Sequence, residues 1–167
     1  MLRTIPRLYA VAALAMLLAP EAALAGNDVA VTLAAQRVTV TNGKEAFSSA
    51  SQVKPGDVVE YRATYTNSGK APARQLLATL PVPAGMEFVE QSAVPAKLEA
   101  SLDGQRYAPV PLTRRVKQAD GKEVVRPVPP AEYRWLRWTL GNLGSNTART
   151  VSARMRVQTV PVAATTR

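Results

Sequence analysis

From Val58 to Thr66 the chain alternates without a break. Val59, Tyr61, Ala63 and Tyr65 share one parity, and Val58, Glu60, Arg62, Thr64 and Thr66 the other. A period of two places successive side chains on opposite faces, so this segment is predicted to be a strand with one face on a core and the other in water. A turn, Lys54-Pro55-Gly56-Asp57, precedes it: proline pre-sets φ, glycine takes positive φ, and the aspartate side chain bonds nearby backbone. Asn67-Ser68-Gly69 ends the strand. A second strand with Leu76, Ala78 and Leu80 inward leads through Pro83-Ala84-Gly85 to a third apolar run at Met86, Phe88 and Val89.

The same pattern extends in both directions. Val29, Val31 and Leu33 mark a first strand, while Val38 and Val40 carry the opposite parity. That switch predicts a bulge or crossing at Ala34–Gln36, with the first strand divided between two sheets. Asn42-Gly43 is a tight-turn signal, and Ser48–Gln52 reads as loop. Further on, Lys97–Leu102 and Gln105–Val110 flank Asp103-Gly104, which predicts a hairpin closed by a tight primed turn. Thr113–Gln118 and Lys122–Arg126 flank Ala119-Asp120-Gly121, but the first arm is too polar for a core strand. The prolines of Val125–Pro130 confine that stretch to an edge or a loop.

Tyr133–Leu140 is the clearest strand of the second half, with Leu136, Trp138 and Leu140 on one parity and Trp135, Arg137 and Thr139 on the other; Trp138 is the expected core tryptophan. In the last strand Val151, Ala153, Met155 and Val157 point inward, and Thr150, Ser152, Arg154 and Arg156 outward. No helical periodicity follows residue 26, and no internal repeat is visible. The predicted fold class is therefore all-β: an immunoglobulin-like antiparallel β-sandwich of about seven to nine strands. It occupies residues 26–160, with an insertion at 93–132 and a flexible tail at 161–167.

Ahead of this domain, Arg3 and Arg7 precede an apolar stretch from Leu8 to Ala19, and Ala23-Leu24-Ala25 supplies small residues at the positions a signal peptidase inspects. Residues 1–25 are expected to be a cleaved signal peptide, which makes the domain periplasmic or secreted. No later stretch approaches membrane length, so no integral membrane segment is expected after cleavage.

Composition narrows the chemistry. The chain has no cysteine and no histidine, which removes disulfides, the usual ligands of zinc, copper and iron, and the commonest general base. No metal, cofactor or catalytic residue is expected. The formal charge is +9, and loss of Arg3, Arg7 and Glu21 with the leader lowers it by one. A basic exported surface favours encounter with anionic surfaces or acidic proteins. Nucleic acid is not an expected partner, since no helix-turn-helix, zinc-finger or RNA-binding signature is present.

Pro55-Gly56-Asp57 followed by Val59, Tyr61, Tyr65, Asn67 and Gly69, then Pro83-Ala84-Gly85 and Phe88, then Trp138-Thr139-Leu140-Gly141-Asn142-Leu143, resembles the bacterial conserved-repeat domain called domain of unknown function eleven. The resemblance covers Val53–Ser92 and Trp138–Val157 and leaves out Ala93–Arg137. It implies an exported Ig-like domain of the kind found in surface-layer, adhesin-like and wall-associated proteins, often in tandem copies. This chain carries one copy and no visible wall or membrane anchor. Where the family tends to place an aspartate, three residues before the proline of Pro-Ala-Gly, Leu80 stands, so no role of that aspartate is transferred.

Among candidate chemistries, Asp57, Asp103 and Asp120 are explained by turn positions, and Glu60, Glu99 and Glu123 by outward strand positions, rather than as catalytic carboxylates or calcium ligands. Ser101 lacks an activating base. Arg62, Arg137, Arg154 and Arg156 share outward parity, and Trp135 shares that of Arg137; if their strands lie in one sheet they form a basic, aromatic face. Arg114, Arg115 and Lys117 form a second basic group within the insertion. The leading expectation is a non-catalytic binding or structural module of the cell envelope with a protein partner. The insertion would carry specificity, and a sheet edge is one way to recruit a strand. The alternative is a basic-face binder of an anionic or carbohydrate envelope polymer, and an enzyme with a carboxylate-only site ranks last.

Overall fold

A computed structural model describes residues 28–159, so the expected leader and the tail beyond Thr159 lie outside the described residues. The described chain is all-β, and every strand pair is antiparallel. The strands are β1 (Val29–Thr41), β2 (Lys44–Ser49), β3 (Val58–Asn67), β4 (Ala73–Pro81), β5 (Met86–Phe88), β6 (Glu99–Ser101), β7 (Ala108–Pro109), β8 (Thr113–Lys117), β9 (Glu123–Pro127), β10 (Trp135–Leu143) and β11 (Thr147–Val157). They form a five-stranded sheet in the order β2-β1-β3-β11-β5, a four-stranded sheet β4-β10-β6-β7, and a separate ribbon β8-β9.

The two larger sheets share one core, as in a β-sandwich. The five-stranded sheet contributes Val59, Ala63 and Tyr65 of β3, Phe88 of β5, and Val151, Ala153 and Met155 of β11; the four-stranded sheet contributes Ala78 and Leu80 of β4 and Leu136, Trp138 and Leu143 of β10. The inward parity read from the sequence for β3, β4, β10 and β11 is observed; on the outward parity Glu60 and Ser152, expected in water, are buried as well, Glu60 against Arg154 and Ser152 under Val94. A fully buried side chain such as Leu80, Leu136 or Met155 contributes roughly 1.5–3 kcal/mol. Trp138 is buried, and its indole N–H donates to the Pro95 carbonyl at 2.8 Å. A cross-sheet link runs from the Thr79 backbone N–H of β4 to the Tyr65 hydroxyl of β3 at 3.0 Å.

The turn before β3 forms as its residues dictate. Asp57 N–H donates to the Lys54 carbonyl at 3.0 Å, Gly56 sits at φ 90°, and the Asp57 carboxylate accepts from the Lys54 N–H behind it at 2.9 Å. Asn42 and Gly43, at φ 52° and 75°, close the β1–β2 hairpin with the paired positive φ values of a primed turn.

Three expectations are corrected. β1 neither bulges nor changes sheets, because its register with β3 runs unbroken from Val29↔Asn67 to Val38↔Val58. The parity switch instead marks a change of cover. Val29, Val31 and Leu33 lie on the face that Tyr65 shares, whereas Val38 lies on the opposite face and is buried there. At that end the β1–β2 hairpin curls over the outer face, close enough for Glu45 to reach Arg154 on β11. Part of the stretch read as loop is strand: Ser48 and Ser49 belong to β2, whose residues are all exposed and so carry no alternation. Lastly, β6 and β7 do form a hairpin, but loop 102–107 joins them in place of a two-residue turn.

The β8–β9 ribbon stands apart from the core, consistent with its polar composition. It is fixed at its base by buried Leu112 and Val128, a backbone bond from Val128 N–H to the Leu112 carbonyl at 2.8 Å, and a two-point contact of Arg114 with Glu132 at 2.7 and 2.9 Å.

Candidate functional site

The outward arginines do not meet on one surface. Arg62 on β3 and Arg154 and Arg156 on β11 belong to the five-stranded sheet, while Trp135 and Arg137 on β10 belong to the four-stranded sheet. Strand parity fixes a side chain's face relative to its own sheet and carries no information about which sheet that is.

Each of these arginines also holds a carboxylate. Arg62 contacts Glu60 at 2.6 Å. Arg154 takes Glu45 in a two-point contact at 2.6 and 2.7 Å and Glu60 at 3.3 Å, and Arg156 meets Glu87 at 3.3 Å. The Arg154 hydrogen bonds hold the Glu45 carboxyl below its ordinary pKa, and the same contact raises that of Arg154. Arg137 contacts Glu99 at 3.0 and 2.7 Å while its guanidinium carbon lies 3.8 Å from the centre of the Tyr107 ring. In the insertion, Arg114 is bound by Glu132 and Arg115 lies 3.8 Å from Glu123, whereas Lys117 has no carboxylate partner among the described residues. At Arg62, Arg137, Arg154 and Arg156 the outer faces therefore present paired charge that salt screens readily.

Trp135 is partly exposed and rests against the 102–107 loop. A Cβ on Gly104 would lie 2.9 Å from the Trp135 indole nitrogen, so the glycine is what lets the ring approach the loop this closely. Within that loop Asp103 accepts from the backbone N–H groups of Arg106 and Gln105, at 2.9 Å each, and from the Ser101 hydroxyl at 3.0 Å. Those donors hold its carboxyl well below the usual range, as a loop-ordering residue requires. Among the described residues no group of three or more acidic, histidine or cysteine side chains is placed to hold a metal ion. None of their helices is long and apolar enough to cross a membrane.

Two features lie outside what the sequence reading nominated. The first is a groove of about 640 Å³ where β10 runs past β6, which pairs only with Trp135–Arg137. Leu98, Trp138 and Leu140 line it with Lys97 and Arg149, and the Arg149 guanidinium donates to the Leu140 carbonyl at 3.2 Å. The second is the edge of β1. β2 pairs only with Gln36–Thr41, so Val29–Ala35 has β3 on one side and no strand on the other among the described residues. Val31 and Leu33 on this edge are 54% and 53% exposed. The signal was present in the sequence as seven consecutive uncharged residues, VAVTLAA, without proline or glycine.

No match to this chain was found among family models, curated proteins or solved structures.

Proposed function

We propose that this chain is an exported, non-catalytic Ig-like module of the bacterial cell envelope that binds a protein partner by taking its strand onto the free edge of β1. The leader-like residues 1–25 and the resemblance to the conserved-repeat family support the compartment and the family relation. An antiparallel sandwich built from sheets of five and four strands supports the Ig-like assignment.

The observation that carries the binding reading is the Val29–Ala35 edge. Native proteins blunt an exposed edge with charge, proline, bulges or a covering element, because its unpaired backbone groups template further pairing. None of these devices is present along Val29–Ala35 among the described residues, and the apolar side chains that a docked strand would cover are already in place. A basic face for anionic polymers has less support, since Arg62, Arg137, Arg154 and Arg156 are each occupied by a carboxylate.

The test is affinity capture from envelope extract with wild-type protein and with Val31→Lys/Leu33→Lys. Both side chains are more than half exposed, so the double variant should fold. A partner recovered by wild type and lost by the variant supports the reading; equal recovery by both counts against it.

A further inference from the structure

We infer that the strand received by the β1 edge is β1 of a second copy, giving a two-fold dimer with a continuous sheet through both molecules. The inference rests on the strand-addition reading and specifies its partner.

Backbone direction comes first. The Asp28 carbonyl accepts from the Ser68 N–H at 3.0 Å, so it points toward β3. Strand backbone groups alternate sides, hence Ala30, Thr32 and Ala34 also face β3. Val29, Val31, Leu33 and Ala35 accordingly aim N–H and C=O out of the edge. An antiparallel pairing centred on Thr32 sets Val31 opposite Leu33 of the second copy and Val29 opposite its Ala35. Every outward-facing residue then meets an outward-facing residue, as a hydrogen-bonded antiparallel pair requires. Moving the centre to Leu33 leaves Val29 opposite Arg37, which β2 already occupies.

Side chains agree with that register. A two-fold axis normal to the sheet keeps faces matched, so the half-exposed Val31 and Leu33 of each copy pack together as an apolar cross-strand cluster.

Charge argues for the same partner. Two copies of a chain that keeps a formal charge of +8 without its leader (+9 less Arg3 and Arg7, plus Glu21) repel, and this uncharged edge lets them meet without placing like charges in contact. Its flanking charges are opposite in sign, Asp28 at one end and, at the other, Arg37, which also lies 3.8 Å from Asp57. Antiparallel pairing brings the Asp28 end of one copy to the Arg37 end of the other. A two-fold contact also closes on itself, so the edge is consumed and does not propagate into fibres.

The chain has no cysteine, so a single introduced thiol reports the geometry cleanly. Thr32 would face Thr32 of the second copy as a non-hydrogen-bonded pair, with Cα atoms about 4.5 Å apart, within the roughly 4.4–6.8 Å that a disulfide spans. Mild oxidation of Thr32→Cys should therefore give a covalent dimer. Thr39→Cys, on the part of β1 that β2 covers, should stay monomeric. Sedimentation equilibrium should show reversible wild-type dimers, and Val31→Lys/Leu33→Lys should be monomeric with an unchanged circular dichroism spectrum. A wild-type monomer throughout the micromolar range, or cross-linking no faster at 32 than at 39, overturns self-pairing. If the wild type is monomeric but loses a captured envelope partner on the double lysine substitution, self-pairing fails and strand addition to this edge stands.

Discussion

Asn67, the last residue of β3, donates from its side-chain amide to the carbonyl of Leu143, the last residue of β10, at 3.0 Å. One buried side chain thus ties together the ends of a strand from each sheet. The same amide reaches the carbonyls of Ala71 and Gly144 at 2.9 and 3.1 Å, and its oxygen accepts from the Gly69 N–H at 3.0 Å. Asn67→Ala strands these backbone groups without replacing their partner. Leaving a buried polar group unsatisfied costs about 1–3 kcal/mol, so the variant is expected to lose about 2–3 kcal/mol. Urea unfolding should show a lower midpoint at unchanged slope. Asn67→Asp, which keeps the shape and removes the donors, should do no better.

Tyr133 is fully buried, and its hydroxyl accepts from the Leu112 backbone N–H at 2.9 Å, holding the base of the β8–β9 ribbon against the core. Tyr133→Phe keeps the ring, which stacks near Phe88, and orphans that N–H, for an expected loss of about 1–3 kcal/mol. The amide of Leu112 should lose hydrogen-exchange protection. Burial raises the Tyr133 pKa above its ordinary 10.0. The stabilisation is therefore complete below pH 10.0 and declines as pH rises through the raised value, because the unfolded state gives up its proton first. Wild type should lose stability over that alkaline range more steeply than Tyr133→Phe.

Much of this architecture is legible in the residues themselves. β3, β4, β10 and β11 bury one face in the core and leave the other mostly open, with Glu60 and Ser152 covered locally, so their alternation survives in the sequence, and Trp138 falls on the buried parity. β2 is not legible in the sequence because its residues are all exposed, which leaves nothing to alternate. The candidate binding face failed to assemble for a different reason. Arg137 and Arg154 are both outward, but on different sheets, and the acids that occupy them are remote in sequence, as with Glu45 and Arg154. The uncharged run Val29–Ala35 is visible in the sequence, but it is identified as a free edge only by the end of β2 at Ser49, opposite Gln36, since an unpaired strand and a paired one can share a composition.

Asp103 offers a test of loop order by pH. Its carboxyl is held below the ordinary 3.8 by the N–H groups of Arg106 and Gln105 and by Ser101. A depressed folded-state value means that the stabilisation is present above 3.8 and is lost as pH falls through the lowered one. Asp103→Asn should therefore be less stable than wild type at neutral pH, with the gap narrowing below pH 3.8. Urea midpoints of the two proteins at pH 7 and at pH 2 measure it. A gap that is equal at both values would show that the ionised carboxylate does not order the loop.

Gly104 and Gly121 separate backbone cost from steric cost. Both sit at positive φ, 76° and 83°, where an L-residue costs roughly 1–2 kcal/mol, so Gly104→Ala and Gly121→Ala should each lower stability by about that amount. Only at Gly104 does the added Cβ meet a neighbour, the Trp135 indole nitrogen at 2.9 Å; at Gly121 nothing lies within 4 Å. Gly104→Ala must therefore also lift the indole off the loop. Since Trp138 is buried and Trp135 is already 37% exposed, the fluorescence change should come from Trp135, as a red shift of emission and faster quenching by iodide. Gly121→Ala should leave the spectrum of the folded protein unchanged. A red shift in both variants, or in neither, would mean that Gly104 is required for its φ alone and that the tryptophan places no demand on it.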